Sequence, residues 1–119
     1  MYNVLLVTAD RGLREAGSRV LASAGLTVVT AAHSGHALLA CLGAVHFDVL
    51  VIEEEQEDAP DAVPRRLVRH QPGMRVVRVG RPHAGIAGTD RPDLVRPFIA
   101  DDLLAAVALA AVRQPAAAV

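Results

Sequence analysis

A chain of 119 residues with an apolar fraction of 52% is the size of one domain with a real core, and a formal net charge of −1 leaves no strongly basic face for nucleic acid. Aromatic residues are limited to Tyr2, Phe47 and Phe98, too few for base-stacking platforms, and no apolar stretch reaches the roughly 20 residues that span a bilayer. The sole cysteine, Cys41, excludes an intramolecular disulfide and fits a reducing cytoplasm, and no signal peptide is visible before the first strand-like run. The expectation is a cytoplasmic domain with no membrane segment and no direct nucleic-acid binding.

Short Val/Leu/Ile runs alternate along the chain with longer segments of helical period, without an internal repeat. Val4 to Val7 reads as a first strand. A helix over 11–24 follows, with Leu13, Ala16, Val20, Leu21 and Ala24 on one face and Gly25 closing it. Thr27 to Ala31 is a second strand, Ser34 to Leu42 a second helix with Ala37, Leu38 and Cys41 inward, and Val49 to Ile52 a third strand. Segment 61–70 is a weaker helix holding Val63, Leu67 and Val68, with Pro64 tolerable only in its first turn. Val76 to Val79 is the fourth strand and Asp93 to Val95 a short fifth. The last helix covers about 101–112, with Asp101 as N-cap or first-turn acid and Leu103, Leu104, Val107 and Leu109 available for packing. Between the fourth and fifth strands, Gly80, Gly85, Gly88, Pro82 and Pro92 break any helical period, so a helix there is expected to be short or missing. Such alternation implies an α/β fold, a doubly wound parallel sheet covered by helices on both faces.

The run Phe47-Asp48-Val49-Leu50-Val51-Ile52 ends abruptly in Glu53, Glu54 and Glu55. A run that apolar reads as a strand buried on both faces, which puts the acids at its C-terminal edge. In open α/β sheets that edge is where ligands and chemistry are placed. Other chemistry is sparse. No glycine-rich phosphate loop or nucleophile elbow is present, since Gly85-Ile86-Ala87-Gly88 opens no helix. His33, His36, His46, His70 and His83 read as surface residues; only His33 and His36 have a spacing suggestive of a metal, and no third ligand is evident. Cys41 reads as a small buried hydrophobe.

Taken in order, several local patterns resemble the receiver domain of bacterial two-component response regulators, across nearly the whole chain. Val4-Leu5-Leu6-Val7-Thr8-Ala9-Asp10 is similar to that family's opening strand and acidic turn, and Ala32-His33-Ser34-Gly35-His36-Ala37-Leu38 to the start of its second helix. Phe47 to Glu53 resembles the strand that ends in the phosphoacceptor, and Arg96-Pro97-Phe98 the Lys-Pro-Phe after the fifth strand. The resemblance implies a flavodoxin-like (βα)5 fold with strand order 2-1-3-4-5, a receiver-like domain over 1–113, and a tail or linker start over 114–119. It also implies a cis Arg96-Pro97 bond.

The departures fall on the positions that run the family's phosphoryl chemistry. Thr8 and Ala9 stand where the resemblance implies a Mg²⁺-holding acidic pair, and Asp10 comes one position late and is expected to point elsewhere. Glu53 replaces the phosphoacceptor, Gly80 the switch hydroxyl and Arg96 the lysine, beside Pro97. Mg²⁺ wants near-octahedral oxygen ligation through one or two carboxylates, so neither a metal nor another cofactor is expected, and no residue is assigned a catalytic role. Glu53 is open to three roles: a fixed mimic of the activated state, an ion pair with Arg96, or part of a solvent-facing acidic rim with Glu54, Glu55 and Glu57.

Three functions remain. The first is a non-enzymatic, phosphorylation-independent pseudo-receiver that docks a protein partner or a fused output domain, with a homodimer formed, if at all, through a non-standard face. The second is a ligand-sensing pseudo-receiver whose pocket among Thr8, Glu53, Gly80 and Arg96 takes a small molecule. The third is a phosphoacceptor working with altered residues, which ranks last for want of a metal site.

Overall fold

The computed structural model describes residues 2–53, 62–80 and 93–112. Their elements run β1 (Asn3–Val7), α1 (Arg11–Ser23), β2 (Thr27–Ala31), α2 (Ser34–Leu42), β3 (Val49–Glu53), α3 (Ala62–His70), β4 (Arg75–Gly80), β5 (Leu94–Val95) and α4 (Ala100–Val112). The strands form one sheet in the order β2-β1-β3-β4-β5, with every neighbouring pair parallel. This is the doubly wound sheet expected from the alternation, in the flavodoxin-like strand order that the resemblance implies. Of the segment 80–93, expected to hold a short or missing helix, all but Gly80 and Asp93 lies outside the described residues, as do Glu54, Glu55, Glu57, His83 and the tail 114–119. Among the described residues no helix is long and apolar enough to cross a membrane.

Strand alternation sorts the core into two layers. Val4, Leu6, Val49, Val51, Val77 and Val79 point to the face covered by α1 and α4, where Leu21, Leu103 and Val107 complete the cluster. Leu5, Val7, Leu50 and Ile52 point to the opposite face, against Ala37, Cys41, Phe47 and Leu67 of the α2 and α3 layer. All five residues of β3 are buried, because the strand is flanked by β1 and β4 and covered on both faces. Each such Val or Leu contributes roughly 1.5–3 kcal/mol through burial, which is why β3 anchors the register of the sheet.

Helix ends follow local chemistry. Asp10 caps α1, its Oδ1 accepting the Leu13 N–H at 3.1 Å. At the other end Gly25 adopts φ +87°, and the Gly25 and Leu26 amides return to the Ala22 and Leu21 carbonyls, a Schellman motif. In α4 both Asp101 and Asp102 sit in the first turn, and Asp102 accepts the Ile99 N–H at 3.3 Å. Pro64 is accommodated in the first turn of α3 and is buried.

Three inward assignments are corrected. In α1 the residue turned fully to the sheet is Gly17, not Ala16; a Cβ there would lie 3.0 Å from Leu6 Cδ2 and 3.7 Å from Leu103 Cδ2. Ala16 lies about a quarter turn away and is exposed, and Ala24 is already the C-cap, also exposed. In α4 the buried stripe is Leu103, Val107, Ala110 and Ala111, at the i, i+4, i+7, i+8 spacing, and Leu109 faces solvent.

Candidate functional site

The same alternation that builds the core aims the polar residues at the C-terminal edge of the sheet. Thr8 follows Val4 and Leu6 in step, and Glu53 follows Val49 and Val51, so both side chains leave the sheet toward the α1 and α4 layer. Val7 pairs with Ile52, which places Thr8 and Glu53 abreast one residue further on. Arg96 is likewise in step with buried Leu94. Its backbone N–H donates to the Gly80 carbonyl at 2.8 Å, fixing the end of β5 against β4.

These residues meet in one cluster. Thr8 Oγ1 donates to Glu53 Oε1 at 2.8 Å and accepts the Asp10 N–H at 3.1 Å. The guanidinium of Arg96 forks between two carboxylates: Nη2 donates to Asp10 Oδ2 at 2.5 Å, and Nη1 lies 3.3 Å from Glu53 Oε2. Arg14 Nη1 donates to the Thr8 carbonyl at 2.8 Å and fastens the β1–α1 turn from below. Glu53 is only 8% exposed. Its Oε2 has no hydrogen-bond partner among the described residues, so its contact with Arg96 is an ion pair without an aligned N–H.

One expectation about this edge is overturned, and one of the three readings of Glu53 is set aside. Asp10 does not point away. Capping α1 occupies one of its oxygens and leaves the other facing Arg96. Nor does Glu53 join a solvent-facing rim, because the alternation of β3 carries it inward beneath Arg96. Hydrogen bonding to Arg96, then to the Leu13 amide, holds the Asp10 carboxyl below the usual carboxylate range. The bond to Asp10 raises the Arg96 guanidinium further, so it stays charged. Ala9 is exposed and offers no side-chain ligand, Gly80 contributes only its carbonyl, and the Arg96-Pro97 bond is cis with Pro97 exposed.

A Mg²⁺ ion does not fit these residues. The positions of the acidic pair hold Thr8 and Ala9, and a guanidinium already sits between the two carboxylates, where a second cation would meet like charge. Among the described residues no three His, Cys, Asp or Glu side chains come together to hold a metal ion. His33 instead caps α2, its Nδ1 accepting the Gly35 and His36 amides at 3.1 and 3.4 Å, with the two imidazoles 3.9 Å apart. Cys41 is buried, and burial pushes its thiol pKa up, away from reactivity.

One polar residue escaped the sequence reading. Buried Gln71 accepts the Phe47 N–H at 2.9 Å and donates to the Cys41 and Val45 carbonyls at 3.1 and 2.8 Å. It thereby closes the loop between α2 and β3. Its only sequence signal is an amide side chain just after the amphipathic period of α3 ends, which is too common to single out.

Neither a scan against protein-family models nor a search of curated proteins found a match. Solved structures do match. A response regulator receiver protein from Sinorhizobium medicae is 22% identical with a TM-score of 0.74, covering 92% of this chain and 94% of that one. A response regulator from Thermotoga maritima is 18% identical with a TM-score of 0.77, over 95% of this chain and 99% of that one. NtrX from Brucella abortus, solved with ADP, is 19% identical with a TM-score of 0.77 over 93% of this chain but only 26% of its own, so there the shared fold is part of a longer chain. Together with the strand order, these likenesses establish that the chain has the fold of response regulator receiver domains.

Proposed function

We propose that this domain is a non-enzymatic, phosphorylation-independent receiver-like signalling module of the bacterial cytoplasm that docks a protein partner or a fused output domain. The observation that carries the reading is the Arg96 fork. In place of carboxylates held open for a metal and a phosphoryl group, the sheet edge has Glu53, Asp10 and Thr8 engaged with one another and with Arg96. Phosphoryl transfer depends on positioning and on charge neutralisation at the acceptor, commonly by a divalent ion. Here the acceptor position is occupied by a buried carboxylate already neutralised by an arginine. The cluster also gives no support to an anion-sensing pocket, because the cation that would greet an anionic ligand is shared between two carboxylates. A fixed edge of this kind would hold the domain in one state and leave recognition to its surfaces.

The test is incubation of the chain with acetyl phosphate and Mg²⁺ followed by intact mass measurement under conditions that preserve acyl phosphates. No phosphoryl adduct is expected. An adduct that maps to Glu53 or Asp10 would overturn the proposal.

A further inference from the structure

We propose that the outward side of α2 and the adjoining side of α3 form a docking surface for an acidic amphipathic helix of a partner protein; the inference deepens the partner-docking reading above and rests on it. Helix α2 carries no Asp, Glu, Lys or Arg, and its solvent side presents Leu39 and Leu42, 68% and 58% exposed, followed by Val45 at 43%. The solvent face of a helix that covers a sheet is normally polar, so an apolar one marks a surface that another molecule covers.

Helix α3, packed beside α2, supplies the opposite character. Arg65, Arg66 and Arg69 are all exposed, and no acidic residue occurs from 62 to 80. Arg69 also complements the C-terminal end of the α3 dipole, which is reason enough for one basic residue but not for three beside an apolar neighbour. The two helices meet at an open cavity of about 340 Å³, shared by Leu42 and Val45 on one side and His70 and Pro72 on the other. Arg66 lies one turn before His70, on the same face of α3. Gln71 lines the cavity and, through its three hydrogen bonds to Cys41, Val45 and Phe47, ties α3 to the loop on the other side.

An apolar strip one helical turn long, a cavity able to seat a side chain and a basic flank are together the complement of a helix with leucine-like anchors edged by Glu or Asp. A second copy of this chain is the poorer occupant. A two-fold contact would set the same patch against itself, and from 34 to 47 and from 62 to 80 that patch offers no carboxylate to meet the arginines.

The test is an amide NMR titration of the full chain with two synthetic helical peptides that share leucine positions, one flanked by Glu and the other by Lys. The Glu peptide is expected to produce saturating shifts at Leu39, Leu42, Val45, Arg66 and Arg69, while the Lys peptide does not. Leu39→Glu, and separately the double change Arg66→Glu with Arg69→Glu, should each weaken binding by about tenfold or more, and added salt should weaken it further. All three positions are on the surface, and circular dichroism checks that the variants stay folded. An absence of saturating shifts, an equal response to both peptides, or shifts confined to α4 would overturn the assignment. So would a dimer in sedimentation that Leu39→Glu abolishes, since the occupant would then be a second copy. None of these results alters the acetyl phosphate outcome, so the docking surface and the phosphorylation-independent reading stand or fall separately.

Discussion

Arg96 is the residue on which the sheet edge depends. Replacing it with Ala leaves Glu53 buried with only the Thr8 hydroxyl for company, and the penalty for an uncompensated buried charge exceeds that of a surface pair. Because the arginine is itself partly exposed, the expected loss is about 2–3 kcal/mol, read as a fall in the urea midpoint; an unchanged midpoint would show the pair to be inert. Asp10 sets a pH dependence. Its carboxyl is held below the ordinary value of 3.8, so its contribution is present above that value and is lost as pH falls through the lower, folded one. Melting curves of the wild type and Asp10→Asn should therefore differ by a constant amount at neutral pH and converge in strong acid. A difference that grows on acidification would contradict the pairing. The sequence offered Arg96 as one of three roles for Glu53 and did not offer Asp10 as a partner at all, because a capping residue has two oxygens and only the folded turn decides where the second one points.

At the scale of elements, the described helices were legible to within a residue or two, since Gly25, Asp101 and the apolar periods are local signals. Their inward faces were less so. Ala16 looked like core by hydrophobicity, while Gly17, with no side chain to score, turned out to be where α1 meets Leu6 and Leu103. Gly17→Val is expected to destabilise the domain by about 2 kcal/mol through overpacking, measured by urea unfolding, while Ala16→Val at the exposed neighbouring position should cost well under 1 kcal/mol. Equal costs would place the α1 contact elsewhere. Gln71 was missed for a related reason: its worth lies in closing a loop 24 to 30 residues distant, which no local pattern encodes.

For the whole molecule, a doubly wound sheet could be derived from alternation and handedness alone, and the two-layer core follows from the apolar runs 4–7 and 49–52 of the central strands, which are buried on both faces. What the fold does not dictate is whether its C-terminal edge switches. Among the described residues that edge is one set of contacts, in which Asp10 and Glu53 both answer to Arg96 and Thr8 ties the end of the first strand to the third. The most direct test of that claim is an amide NMR titration with Mg²⁺, then with Mg²⁺ and beryllofluoride, following Thr8, Glu53, Gly80 and Arg96. A folded spectrum with no saturating shifts at these positions is the predicted result. Saturating shifts there that spread to β5 and α4 would mean that a phosphoryl-type switch operates on the altered residues, and the account of a fixed edge would be wrong.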